Sequence, residues 1–428
     1  ALQRAGAGIT PPVDTRPVGV RVARALCRRG EACVCLAPGS QARTRSSPLM
    51  EPQLTKDDGT PLYGNRERIR GVVERLLAAR LGSTKPDDRT REENALPVIM
   101  GSPGTGKSMA LVRECASFAN MHGCVLSAFT MNAGMGVVIH PVARVEIALR
   151  LIWGALASMG PSADAAPCEH LVPWGGVGAA LTQANLRSDV KDLLVLDAQD
   201  TVQQLVADPQ ADPVRIPIIV AIDEMTKAYA SGRDELFGLP QQILAARSTA
   251  CIVSALSPYD EPLAAQTRSN RAIKYLFLDN VGEDVMRAVA KNLIRKEQVS
   301  WSNRPGAKSK QLLPEICNCV WAVGQTGGHG RSLQYLQEDW ERRGQLGVRG
   351  RSTLWRLFGT RAGKLLPSRL TDEGVEAMLE WPVLEFDDAM SDPRLSLLKE
   401  GVLEYTANAT EGGPTLNTVP YAFRRWLY

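Results

Sequence analysis

The stretch LPVIMGSPGTGKSMAL, residues 96–111, decides how the rest of the chain is read. Its first five residues are an apolar run of strand length, a glycine-rich turn follows, and from Lys107 onward the residues favour a helix. Gly101, Gly106, Lys107 and Ser108 fill the pattern G-x-x-x-x-G-K-[ST] of a phosphate-binding loop. The spacing has a physical cause. Glycines let successive backbone N–H groups turn inward around phosphate oxygens, and the N-terminus of the following helix adds a partial positive charge. Gly101, Ser102, Pro103, Gly104, Thr105, Gly106, Lys107, Ser108 and Met109 are then the nucleotide-binding turn. Lys107 would reach the β- and γ-phosphates, and the Ser108 hydroxyl would ligate Mg²⁺. The alternative is an ordinary glycine-rich strand-to-helix turn. Four fixed positions flanked by a strand and a helix weigh against it.

Downstream, IPIIVAIDE (216–224) is an apolar run that ends in two carboxylates. A buried strand terminating this way supplies the second half of such a site: Asp223 would hold Mg²⁺ through water, and Glu224 would orient and deprotonate an attacking water. The run ACIVSAL (250–256) ends near Ser254 and Ser257. A polar side chain there, with Ser257 placed in the ligand set, would lie between the two site-bearing strands and sense the γ-phosphate. Apolar strands are also expected at 124–130 and 272–278, and helices at 107–121, 141–158 and 197–207. Strands that alternate with helices imply a parallel sheet covered on both faces. The expected fold is therefore α/β, a P-loop NTPase of the ASCE type.

Outward from this core the chain divides into four parts. Residues 1–50 hold eight arginines against Asp14 and Glu31, a larger excess than the net +4 of the whole chain, so the remainder is net acidic. This segment reads either as an arginine-rich transit segment or as a basic low-complexity arm, with an amphipathic turn or two at 18–29. Residues 51–281 form the α/β core, which includes an amphipathic helix carrying Ile69, Val72, Val73, Leu76 and Leu77 and a Gly/Pro/Ala-rich insertion at 160–195. Residues 282–340 read as a small helical lid, with helices at 285–294 and 312–323 and the turn TGGHGRSLQYL (326–336) leading into a third. In 341–428 a basic linker, with Arg342, Arg343, Arg349, Arg351, Arg356, Arg361, Lys364 and Arg369 against Glu341, precedes helices at 372–379 and 393–400 and two strands about a Glu-Gly-Gly-Pro turn. That order is winged-helix-like, and the cationic run 342–369 suits a polyanion, nucleic acid first.

Composition limits the function classes. The chain is 44% hydrophobic and has no run of eighteen apolar residues, so no membrane span is expected. Its nine cysteines form no C-x-x-C pair, which reads as reduced thiols of an intracellular protein. The one metal-like cluster, Cys168-Glu169-His170, lacks a second pair of ligands and is not read as a zinc site.

With these residues in hand, the chain resembles ATPases of the AAA+/STAND superfamily, and more narrowly the Crinkler and retrotransposon-hot-spot type. GSPGTGKS, FTMN (129–132) with ALRLI (148–152), AIDEMTK, IVSALSP and TGGHGRSLQYL carry the resemblance over residues 60–340. A more distant likeness, at GTGKS and IVSALS, is to the P-loop protein of the mitochondrial ribosomal small subunit, whose strand typically lacks the second carboxylate; Glu224 favours a hydrolase. The resemblance implies ATP as the nucleotide, and no Asn-Lys-x-Asp guanine-reading motif is present. It further implies that Tyr63, in Tyr63-Gly64-Asn65-Arg66, packs against adenine and that Arg331 contacts the γ-phosphate from the lid. Arg268 and Arg271 would face a neighbouring subunit's site in a ring. Two functions stay open: an ATP-hydrolysing switch or motor acting as a homo-oligomer or in a large complex, and a nucleotide-bound structural subunit of a ribonucleoprotein. Nucleus and mitochondrion are both implied as settings.

Overall fold

Five short apolar runs become the strands of one parallel sheet: β1 (Leu96–Met100), β2 (Val125–Thr130), β3 (Ile218–Asp223), β4 (Thr249–Ala255) and β5 (Ile273–Phe277). The computed structural model describes residues 15–27, 66–82, 95–101, 104–131, 138–159, 171–206, 216–224, 240, 243–244, 248–255, 273–303 and 312–343, and three short strands within 384–418. The strand order is β2-β3-β4-β1-β5, every pairing in it parallel. β4 is thus inserted between β1, which leads into the phosphate loop, and β3, which ends in Asp223. This is the P-loop NTPase sheet expected from the sequence.

Strands β1 to β4 are buried nearly throughout because helices cover both faces. Alternate residues go to opposite sides, as the two-residue repeat of a strand requires. Ile99, Leu126, Ala128, Ile219, Ala221 and Ile252 join α2 (Arg66–Gly82) and α3 (Lys107–His122) on one face. Val98, Met100, Phe129, Val220, Ile222 and Val253 join α4 (Ala143–Ser158) and α6 (Val195–Val206) on the other. At the edge, β5 is only partly covered.

Two segments pack more fully than their composition suggests. Val18–Leu26, grouped by its arginines with the basic arm, is a helix, α1, whose Val22, Ala23 and Leu26 are completely buried against α4 and α6. Arg21 points outward to Asp189 at 2.8 Å, so the arginines of this stretch line the outer side of a core helix. The reading of residues 1–50 as one arm therefore does not hold for α1; the rest of that segment lies outside the described residues. Likewise, of the glycine-rich insertion, residues 171–195 place Trp174, Val177, Leu181, Leu186, Val190 and Leu193 in the same core cluster, partly through the short helix α5 (Val177–Gln183).

After β5 the chain forms α7 (Glu283–Ser302), α8 (Leu312–Gln325) and α9 (Gly330–Arg343), the helices expected as a lid, around Val289, Leu293, Cys319, Ala322, Val323, Leu333 and Leu336. The Trp340 indole donates to Glu297 Oε2 at 2.8 Å and ties α9 to α7. In the last part, β7 (Leu403–Thr406) and β8 (Thr415–Thr418) pair antiparallel, and β6 (Leu384–Glu385) adds a third strand beside β8; the Glu-Gly-Gly-Pro turn expected between β7 and β8 lies outside the described residues. The helices expected at 372–379 and 393–400, and the basic run beyond Arg343, lie outside the described residues. No helix of the described residues is long and apolar enough to cross a membrane.

Candidate nucleotide site

At the C-terminal end of β1 the chain leaves the sheet at Gly101 and re-enters regular structure at Lys107, the first residue of α3. The turn between them needs left-handed backbone: Gly104 has φ +93° and Gly106 φ +102°. An L-residue pays for that conformation sterically, which is why glycines occupy those positions. Thr105 and Lys107 are buried, and Ser108 is half-buried. The Lys107 ammonium folds back across the turn and donates to the Gly101 carbonyl at 2.7 Å. This leaves a buried cationic side chain at the N-terminus of α3, beside a turn whose glycines are left-handed. Met109 is buried on the helix side, and Ser102 and Pro103 lie outside the described residues.

Two strands away, Asp223 ends β3, and Glu224 follows in the left-handed region with φ +50°. Ser254 of β4 sits between them and joins both. Its hydroxyl donates to Asp223 Oδ1 at 2.5 Å and accepts from the Glu224 N–H at 3.0 Å. The main-chain carbonyl of Asp223 also receives the N–H of Met131, at the end of β2, at 2.8 Å. Ser254 is fully buried and stands opposite Ile99 of β1 in the ladder, so the strand between the two halves of the site carries the polar side chain expected there. The residue that does this is Ser254; Ser257 lies outside the described residues. Chain alternation could have singled it out, since it is the one polar side chain within the buried apolar run 250–255.

The lid reaches the phosphate loop through main chain. The Arg331 N–H donates to the Gly104 carbonyl at 3.0 Å, and Arg331 itself is exposed in the first turn of α9. The turn before it is fixed from below by residues that follow β5: Val281 N–H donates to Gly328 O at 3.0 Å and the Asn280 amide to Gly327 O at 3.1 Å. The main chain of Arg331 thus meets the loop, while Tyr63, Arg268 and Arg271 lie outside the described residues. Arg66, next to Tyr63 in sequence, opens α2 and pairs with the buried Glu114 of α3 at 3.4 Å.

A buried ion pair that sequence reading did not single out supports the far side of the site. Arg150 and Glu146 of α4 pair at 2.8 Å, both buried, and Arg150 also donates to the Thr130 carbonyl at the end of β2. Glu146 Oε2 accepts the N–H groups of Ile139 and His140, each at 3.0 Å, and the Arg150 guanidinium lies 4.6 Å from the Trp174 ring centre. The i, i+4 spacing of Glu146 and Arg150 reads in sequence as a surface pair. Only the packing of α4 under the sheet reveals it as internal.

Among the described residues no cluster of three metal-ligating side chains occurs, and Cys168 and His170 lie outside them. No protein-family model and no curated protein matches the chain. Among solved structures it is similar to the ORC1 protein of Aeropyrum pernix in complex with DNA, at 15% identity over 86% of this chain and 92% of that one, with a TM-score of 0.33. PCH-2 of C. elegans is similar at 13% identity over 67% and 65%, with a TM-score of 0.36. A Walker-type ATPase of Pyrococcus abyssi is similar at 14% identity over 88% of this chain and 98% of that one, with a TM-score of 0.49.

Proposed function

We propose that the chain binds ATP with Mg²⁺ at the phosphate loop and hydrolyses it, the lid responding to the nucleotide. The observation that carries this reading is the grouping at one sheet end of a buried lysine in a left-handed glycine turn and a Ser-bridged Asp–Glu pair, with the lid bonded to the same turn. The donor chemistry fits the groups proposed. Ser108 and Asp223 are hard oxygen ligands of the kind Mg²⁺ takes, and Ser254 engages one carboxylate oxygen of Asp223 and leaves the other for that purpose. Bound Mg²⁺ would neutralise charge on the transferred phosphoryl group.

The chain's own residues then divide the work. Lys107 exchanges its bond to Gly101 O for the phosphate chain. Asp223 would hold the metal through water, Glu224 would orient a water and accept its proton, and Arg331 would approach from the lid. Crinkler-like or STAND-like membership is the finer form of this reading and rests on the motif resemblance.

Substitution separates binding from turnover. Lys107→Ala removes a charge-assisted contact and should weaken nucleotide binding by about 2 kcal/mol, roughly thirtyfold. Glu224→Gln keeps the shape and should retain binding while single-turnover hydrolysis falls by about 10²–10⁴. Hydrolysis at the wild-type rate by Glu224→Gln would remove the base assignment and favour a nucleotide held for structural reasons.

A further inference from the structure

The turn that opens α9 presses a histidine against the phosphate loop, and none of the chemistry above uses it. His329 is 2% exposed. Its ring Cε1 lies 2.8 Å, and its Nε2 3.0 Å, from the place a Cβ on Gly104 would take, so the imidazole fills the side-chain space that Gly104 leaves empty. Nδ1 is 2.9 Å from the hydroxyl of the buried Ser332, three residues on in the first turn of α9, which fixes the ring's orientation. Beside the ring, Arg331 N–H bonds Gly104 O, and a Cβ on Gly330 would come within 3.1 Å of that same oxygen. Backbone thus meets backbone at a distance that a side chain on residue 330 would crowd. Behind the ring the turn is held to Asn280 and Val281 after β5.

We propose that His329 is a positioning residue of the nucleotide site: wedged against Gly104 and oriented by Ser332, it locks the phosphate loop to the first turn of the lid, so that nucleotide leaves only when this turn lifts. The inference rests on the nucleotide reading above. The physical argument is one of shared contacts. The loop holds phosphate through main-chain N–H groups, so its grip depends on where its backbone is fixed. Gly104 is fixed from outside the loop by Arg331 N–H and by the His329 ring. An apolar side chain would fill the space equally well. The imidazole adds a polar anchor to Ser332 that sets the angle of the wedge. Loss of the ring uncouples loop from lid while the phosphate-binding groups, Lys107 and Ser108, stay in place.

The test is stopped-flow release and association of a fluorescent ADP, which does not require hydrolysis, on the full chain and on His329→Ala, Ser332→Ala and Ser332→Thr. His329→Ala should release ADP about tenfold faster, a change of ~1.4 kcal/mol, with association changed by less than about threefold. Ser332→Ala should release about threefold faster, and Ser332→Thr, which keeps the hydroxyl, should return toward wild type. A merely structural role would instead lower the active fraction or slow association and leave release alone. Should His329→Ala not fold, the Ser332 pair decides. Wild-type protein that binds no ADP would overturn the nucleotide reading itself. Wild-type protein that binds ADP, with unchanged release in His329→Ala and Ser332→Ala, would overturn the lock alone.

Discussion

Gly104 and Gly328 show how much of the site depends on single backbone positions. Gly104 combines φ +93° with contacts on the side where a Cβ would point, and Gly328 combines φ +79° with the Val281 carbonyl 2.4 Å from that point. The obstacle at Gly104 is the His329 ring and Arg331 Cβ, which move only with the first turn of the lid; at Gly328 it is main chain, which cannot shift without breaking the Val281–Gly328 bond. Gly123 ends α3 with φ +64° and nothing within 4 Å. Gly123→Ala should therefore cost only the left-handed strain, about 1 kcal/mol, by urea unfolding. Gly328→Ala should cost clearly more, roughly 3 kcal/mol, and loosen the lid against the sheet. Gly104→Ala should leave global stability within about 2 kcal/mol and weaken nucleotide binding, since the turn it strains is the phosphate cradle.

Among the elements, α4 carries the least exchangeable interaction. Arg150→Met leaves Glu146 with its two backbone donors but no countercharge in a buried position, which should cost about 3–5 kcal/mol. Glu146→Gln combined with Arg150→Met removes both charges and should recover part of that loss; a double-mutant cycle on unfolding free energies measures it. Because Arg150 also holds the Thr130 carbonyl beside Asp223, the single variant should lower hydrolysis as well. Helix α3 and strand β4 carry a different dependence. Burial pushes the thiols of Cys115 and Cys251 far above their ordinary value and that of Cys124 up to about 11. A folded pKa raised above the unfolded one means that the native state keeps protons which the unfolded chain releases. Stability is therefore fully present below about pH 9 and declines as pH rises toward about 11 for Cys124, with the other two continuing the trend. Urea midpoints at about pH 8 and about pH 10 check the sign, and Cys115→Ala with Cys251→Ala should flatten the slope.

At the scale of the whole molecule, a net charge of +4 hides a strongly basic stretch after the lid, where eight cations in 342–369 face very little acid. Arg342 at its start is exposed, with a long pair to Glu338 at 3.6 Å and a bond to the Glu338 carbonyl at 3.3 Å. If this stretch contacts phosphates, bound counterions are released on association, and binding of labelled DNA or RNA should fall steeply as salt rises toward physiological values. Changing Arg349, Arg351 and Arg356 together to Glu should abolish binding and flatten the salt slope. Equal binding by the two proteins, or none by either, would assign the cations to another role. Light scattering with and without ATP tests the ring expected from Arg268 and Arg271. A protein that stays monomeric at full hydrolytic rate excludes an arginine supplied by a neighbour.

Alternation of apolar strands with helices, and the loop GSPGTGKS, were enough to establish the α/β class and the parallel sheet, and to single out Lys107, Ser108, Asp223 and Glu224 as candidates. Each of those features is local: a strand's period, a turn's glycines, a carboxylate at a strand end. Tertiary structure decided what depends on distant parts of the chain meeting. It placed α1 in the core, because a nine-residue helix rich in arginine declares its buried side only against α4 and α6. It buried Glu146 and Arg150, whose spacing fits a surface helix equally well. It chose Ser254 as the bridge to Asp223, since strand order, invisible in sequence, sets β4 beside β3. And it brought His329 against Gly104 across more than two hundred residues, a contact that exists only because the lid folds back onto the loop.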